Sequence, residues 1–116
     1  MKIGIIDSFD SAHFLPNYDG ICANIHGHTY TVEVVFEGPV DEKSGFVIDF
    51  HDLKRRLKHV IGRLDHKNLN DIMTNPTAER IAEQIWHSLE GEMEESQVEL
   101  LSVKLWEGKN KWVMLD

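Results

Sequence analysis

Cys22, His26 and His28 fall within seven positions of a 116-residue chain that carries one cysteine in all. The stretch reads CANIHGHTY over residues 22 to 30. Side chains two positions apart in an extended segment face the same way, so His26 and His28 point together if the following strand reaches back to residue 26. Two imidazoles on one face are what two ligands of a single ion require. His13 ends an earlier extended stretch and shares the parity of its apolar residues, which makes it the best third ligand. Three neutral imidazoles and an open fourth position suit a catalytic Zn²⁺, and no carboxylate cluster nearby points to a harder ion. The blander alternative is three packed or solvent-facing histidines without metal. A closed Cys-His₃ site that includes Cys22 is also compatible with the spacing.

Cys22 lies on an expected loop four residues before His26. A thiol becomes a base or nucleophile only as the thiolate, with its pKa brought down by a neighbouring cation or metal. Asp65 and His66 adjoin at the expected end of a helix. An acid and an imidazole can relay a proton, although adjacent residues do not face each other on a helix. The bland account of that pair is a histidine favoured by the helix dipole. Glu107 closes an otherwise apolar stretch, where a carboxylate can accept paired N–H donors from a flat heterocycle. Thr77, with Glu79, is a further candidate for binding, but Thr77 also fits as a helix cap. His51, His59 and His87 read as surface residues, and Trp86, Trp106 and Trp112 as core or interface residues.

Alternation and periodicity supply the elements that must position these groups. The first thirteen residues read as a strand, with Ile3, Ile5, Phe9 and His13 on one face. A second strand over about 28–37 places Tyr30, Val32, Val34 and Phe36 on one face, and Thr31, Glu33 and Glu37 on the other. Asp49 is an expected N-cap with Asp52 as a short capping-box analogue, opening a helix of about four turns through Leu64. A second helix opens near Thr77 with the stripe Ala78, Ile81, Ala82, Ile85 and Leu89, and Gly91 is its expected stop. Two closing strands flank the turn Gly108–Asn110. The order is ββααββ: an α+β fold with an antiparallel four-stranded sheet and two helices on one face. Exposed edges on so small a sheet favour oligomers.

Bulk properties narrow the classes. The length fits one domain over residues 1–116. A formal net charge of −8 argues against a nucleic-acid or anionic-membrane partner. No apolar run approaches a membrane span, and no secretory leader is evident. A single cysteine cannot form an internal disulfide, so the expected setting is reducing and cytoplasmic.

Six segments in order, FDSAHFLP, Cys22 followed by three residues and HGHTY, GFVIDFHDLK, LDHKNLN, NPTAERIAEQIW and LWEG, give the chain a further property. It resembles the 6-pyruvoyltetrahydropterin synthase / 6-carboxytetrahydropterin synthase family over nearly its full length. The resemblance implies the tunnelling fold (T-fold), with trimers forming a β-barrel, stacking into homohexamers and placing active sites between subunits. It implies Zn²⁺ held by His13, His26 and His28, Cys22 as general base, and Asp65 and His66 as relay partners, which reverses the bland account of that pair. It makes Glu107 both the anchor of the pterin ring and a member of the relay, and counts Thr77 among the substrate-binding residues.

The implied substrate is 7,8-dihydroneopterin triphosphate. The implied product is 6-carboxy-5,6,7,8-tetrahydropterin, with acetaldehyde and triphosphate released, as in the queuosine or archaeosine precursor pathway. The short Cys-x₃-His-Gly-His spacing resembles that group, and the 6-pyruvoyl-forming type is the alternative. A third subgroup, with Glu in place of the cysteine, splits dihydroneopterin-type side chains, and Cys22 beside Ala23 speaks against it. A non-catalytic zinc- or pterin-binding module is the alternative of another class. Phe14, where many relatives have Arg, and Gly108, where Thr is common, depart from the family pattern.

Overall fold

The computed structural model describes residues 1–116. Strands β1 (Lys2–His13), β2 (His26–Glu37), β3 (Glu99–Glu107) and β4 (Trp112–Leu115) form one antiparallel sheet in the order β1-β2-β3-β4. Helices α1 (Phe50–Ile61) and α2 (Ala78–Glu92) separate the two pairs. Two single 3₁₀ turns, Ile21–Ala23 and Leu69–Asp71, interrupt the loops. The expected α+β order is thus realised.

Strand parity decides which face is covered. Tyr30, Val32, Val34 and Phe36 are completely buried, as are Val103 and Leu105 on the neighbouring strand. Against them lie Leu53 and Leu57 of α1 and Ile81, Ile85 and Leu89 of α2, also fully buried. Both helices therefore pack on one side of the sheet, and truncating a ring such as Phe36 there would cost about 3–5 kcal/mol. The other face keeps Ile6, Trp112 and Met114 exposed. Lys104 Nζ lies 4.8 and 4.1 Å from the ring centres of Trp106 and Trp112 on that side.

Helix signals held at the starts and shifted at the ends. Asp49 Oδ1 accepts from the His51 N–H at 2.8 Å, and Thr77 Oγ1 from the Arg80 N–H at 3.2 Å, so both are N-caps. Asp52 does not complete a capping box, because its carboxylate pairs with Arg55 and Arg56. Helix α1 stops at Ile61 rather than Leu64, although Leu64 remains buried in the turn that follows. Gly91 is not a stop either: α2 runs one residue past it, and its φ is not positive.

Strand β2 begins at His26, not His28, and pairs His26 with His13 across the sheet. The outer edge of β1 is not wholly open. Residues 64–70 run along it, with the Ala12 N–H donating to Lys67 O at 2.9 Å and a short parallel bridge between Ala12 and Asn68. Asn70 closes the cover by exchanging hydrogen bonds with Phe14, both at 2.9 Å.

Candidate functional site

His13, His26 and His28 converge at the ends of β1 and β2. One ring nitrogen from each lies within 4.8 Å of the others. Pairing His13 with His26, and placing His28 one strand-step along, brings the rings to centroid separations of 4.6 to 5.1 Å. His13 is buried, and its Nδ1 sits 2.7 Å from Pro76 O. His26 Nδ1 sits 2.8 Å from Asn24 O. A carbonyl only accepts, so both rings carry their proton on Nδ1 and present a bare Nε2 lone pair. Outer hydrogen bonds of this kind orient metal-binding histidines. The Nε2 atoms of His13 and His28 are buried without a hydrogen-bond partner. A buried polar atom left unpaired costs about 1–3 kcal/mol, and a bound cation would remove that cost. The donor set therefore fits a metal ion.

Charge around the trio is set by burial and one carboxylate. Burial pushes the His28 pKa below its ordinary value, opposed by Glu107 and aided by His13 and His26. His28 thus favours the neutral form that a metal needs. Glu107 pairs across from Tyr30 on β2, and its Oε1 lies 3.6 Å from His28 Nε2 and 3.5 Å from Lys111 Nζ. Burial, then Glu107, raises the Tyr30 pKa, keeping its phenol protonated beneath the histidines. Glu107, Thr77 and His13 line one cleft of about 290 Å³ together with Glu79, Lys111 and Trp112. Thr77 therefore both caps α2 and borders this cleft.

The remaining candidates lie elsewhere. Cys22 is half-buried in the middle of the Ile21–Ala23 turn, and its carbonyl accepts from the Leu15 N–H at 2.8 Å. Its thiol is not among the converging ligand atoms, so the geometry does not support a closed Cys-His₃ site. Asp65 and His66 do meet, with Asp65 Oδ1 3.0 Å from His66 Nδ1. They meet because the helix has already ended and His66 adopts φ 56°, the only non-glycine residue with positive φ. The Asp10 N–H and then His66 hold the Asp65 carboxyl below its ordinary pKa. Asp10 and Thr29 share a cross-strand position on the face opposite Phe9 and Tyr30. The pair sits beside Asp10, so it lies on the other side of the sheet from the three imidazoles.

Sequence reasoning missed Asp10, Thr29 and Lys111, and the carbonyls of Asn24 and Pro76. Parity could have joined Asp10 to Thr29, but nothing local in the sequence brings residue 65 to residue 10.

The family model described as 6-pyruvoyl tetrahydropterin synthase matches residues 2–116. The chain belongs to the 6-pyruvoyl tetrahydropterin synthase family. Within it, the chain is 43% identical to a dihydroneopterin monophosphate aldolase of Pyrococcus furiosus, covering 100% of this chain and 99% of that protein. It is 34% identical to a 6-carboxy-5,6,7,8-tetrahydropterin synthase of Haemophilus influenzae, covering 91% and 92% of the two chains. The solved 6-pyruvoyl tetrahydropterin synthase of Caenorhabditis elegans superposes with a TM-score of 0.87 at 29% identity, covering 99% of this chain and 94% of that one. The chain thus has the family's T-fold subunit, and no helix is long and apolar enough to cross a membrane.

Proposed function

We propose that the protein is a zinc-dependent lyase that converts 7,8-dihydroneopterin triphosphate and one water to 6-carboxy-5,6,7,8-tetrahydropterin with release of acetaldehyde and triphosphate. The observation that carries the reading is the imidazole trio, two of whose rings are tautomerically fixed by backbone carbonyls. His13, His26 and His28 would hold the ion. When bound, Zn²⁺ supplies Lewis acidity at the side-chain hydroxyls, acidifying the adjoining carbon-bound protons.

The chain's own groups then divide the work. Glu107, set between His28 and Lys111 in the cleft with Thr77, accepts the paired N–H donors of a pterin edge. Cys22 takes the first proton as thiolate. His66, oriented by Asp65, carries a proton at the opposite face of the substrate. Within one chain the Asp65–His66 pair lies across the sheet from the imidazoles. A complete catalytic set therefore draws the pair from a neighbouring copy, which supports active sites between subunits of a trimer-based hexamer.

One observation favours a second reading. The relative named as an aldolase matches the chain end to end at higher identity than the 6-carboxy synthase. Aldol cleavage of a dihydroneopterin monophosphate would use the same base, relay and ion on the same side-chain bond. The presence of Cys22 therefore does not by itself separate the two reactions.

Mass spectrometry of products from the zinc-loaded protein tests both. A 6-carboxytetrahydropterin mass with acetaldehyde from the triphosphate supports the leading reading, and a 6-pyruvoyl product reassigns the chain to the other synthase type. A 6-hydroxymethyl pterin from the monophosphate establishes the aldolase. No turnover of either substrate would leave a binding module.

A further inference from the structure

Asp10 bonds the Asp65–His66 pair through its backbone N–H and carbonyl, with its carboxylate nearby, although it belongs to another element 55 residues away. Its N–H donates to Asp65 Oδ1 at 2.9 Å. Its carbonyl accepts from the His66 N–H at 2.6 Å. Its carboxylate accepts from Thr29 Oγ1 at 2.5 Å, and one of its oxygens lies within 4.8 Å of both an Asp65 oxygen and a His66 ring nitrogen.

The backbone contacts explain how His66 is held at φ 56°, a conformation that costs roughly 1–2 kcal/mol for a residue with a Cβ. The His66–Asp10 bond and the Lys67–Ala12 bond clamp that residue from both sides. The carboxylate has a separate effect. It places a second negative charge beside a ring that Asp65 already contacts, and Thr29 fixes its rotamer.

Hydrogen bonds within the cluster already engage Asp10 Oδ1 and Asp65 Oδ1, unlike the bare Nε2 atoms of the imidazole trio. The arrangement is therefore a charge bracket rather than another ion site. The other charges facing it are Lys58 of α1, which acts on Asp65 and pairs with Asp7 at 3.2 Å, and Lys67, which lines the same open cleft.

We propose that Asp10 is a positioning residue for this pair: with Asp65 it brackets the His66 imidazole and fixes the orientation and charge with which that ring meets the substrate. The inference rests on the proposed role of Asp65 and His66 in moving protons. Asp10 acts through His66 and need not touch the pterin.

Asp10→Asn keeps the side chain's shape and all backbone contacts while removing the charge. In the native assembly, the His66 ring resonances followed by histidine-selective NMR at fixed pH should move in this variant, because one of the two carboxylates beside the ring loses its charge. With pterin substrate, kcat near neutral pH should fall about tenfold while KM stays within about twofold. Asp10→Glu should recover part of both effects. Thr29→Val leaves the charge but frees its rotamer, and should move the ring resonances in the same direction by less. It also carries the measurement if Asp10→Asn fails to fold.

Unmoved His66 ring resonances in a folded variant overturn the proposal. So do moved resonances with an unchanged kcat, or a loss confined to KM. A protein inactive on every pterin would refute the functional reading, while the ring resonances would still decide whether Asp10 controls the ring.

Discussion

His13 turns its Nδ1 to the carbonyl oxygen of Pro76, 2.7 Å away, and leaves its Nε2 buried and unpaired. Pro76 directly precedes Thr77, the N-cap of α2. The candidate ion site is therefore mechanically joined to the start of a helix. Loading zinc should slow amide exchange at Ala78 and Glu79 and at the strand ends around His13 and His26. Hydrogen-exchange mass spectrometry that shows equal exchange with and without zinc would break that connection.

His26→Ala should abolish stoichiometric zinc binding and leave the sheet folded. His26 lies at the first position of β2 and is only half-buried, so its ring contributes little to the core. Metal analysis alongside circular dichroism checks this. Retained zinc would remove His26 from the ligand set, and a collapsed fold would make the site structural.

Cys22→Ala should lower turnover by about 100-fold or more while zinc content is unchanged, because the thiol stands outside the converging nitrogen atoms. A loss of zinc would restore the closed Cys-His₃ alternative. Unchanged turnover would show that another group is the base.

Acidification should destabilise the metal-free protein through His28. Its folded pKa is lowered, mainly by burial, so the unfolded chain takes up its proton first. The His28 contribution is whole above about pH 6.5 and declines as pH falls below that value. Urea midpoints of the metal-free native protein should fall more between pH 7.5 and pH 5.5 than those of His28→Gln. Parallel slopes would refute the assignment.

Gly108→Thr should destabilise this chain by about 1–2 kcal/mol. Gly108 has φ 73°, and nothing lies within 4 Å of where its Cβ would be, so the cost is in the backbone alone. Chemical denaturation measures it directly, and a neutral or stabilising result would mean that the turn rearranges freely. Gly108 is thus set by the turn geometry between β3 and β4.

Much of this arrangement is legible in the sequence because it depends on local rules. Parity placed Tyr30, Val32, Val34 and Phe36 on the buried face and aligned His13 with His26 and His28. Side-chain oxygens at Asp49 and Thr77 marked two helix starts. The helix ends were less legible, since Leu64 keeps the periodic pattern after α1 has stopped, and Gly91 follows a polar position without needing a positive φ. The Asp65–His66 contact was hidden for a related reason. It requires a left-handed backbone at His66, stabilised by hydrogen bonds to Asp10 and Ala12. Those partners are distant in the chain, and no periodicity encodes them.

The cover laid along β1 by residues 64–70 also acts as a ruler. It occupies the strand's free hydrogen-bonding groups near Asp10, Ala12 and Phe14; the Ser8 N–H is taken by the Asp7 carboxylate, and the stretch from Lys2 to Asp7 is left unclaimed. A strand arriving from a second copy can slide no further than that point without displacing the chain's own segment. Sheet edges that accept any register invite open-ended fibres, whereas a fixed stop favours closed rings of defined size. The residues that restrain His66 would therefore also limit how far a second copy could pair along this edge.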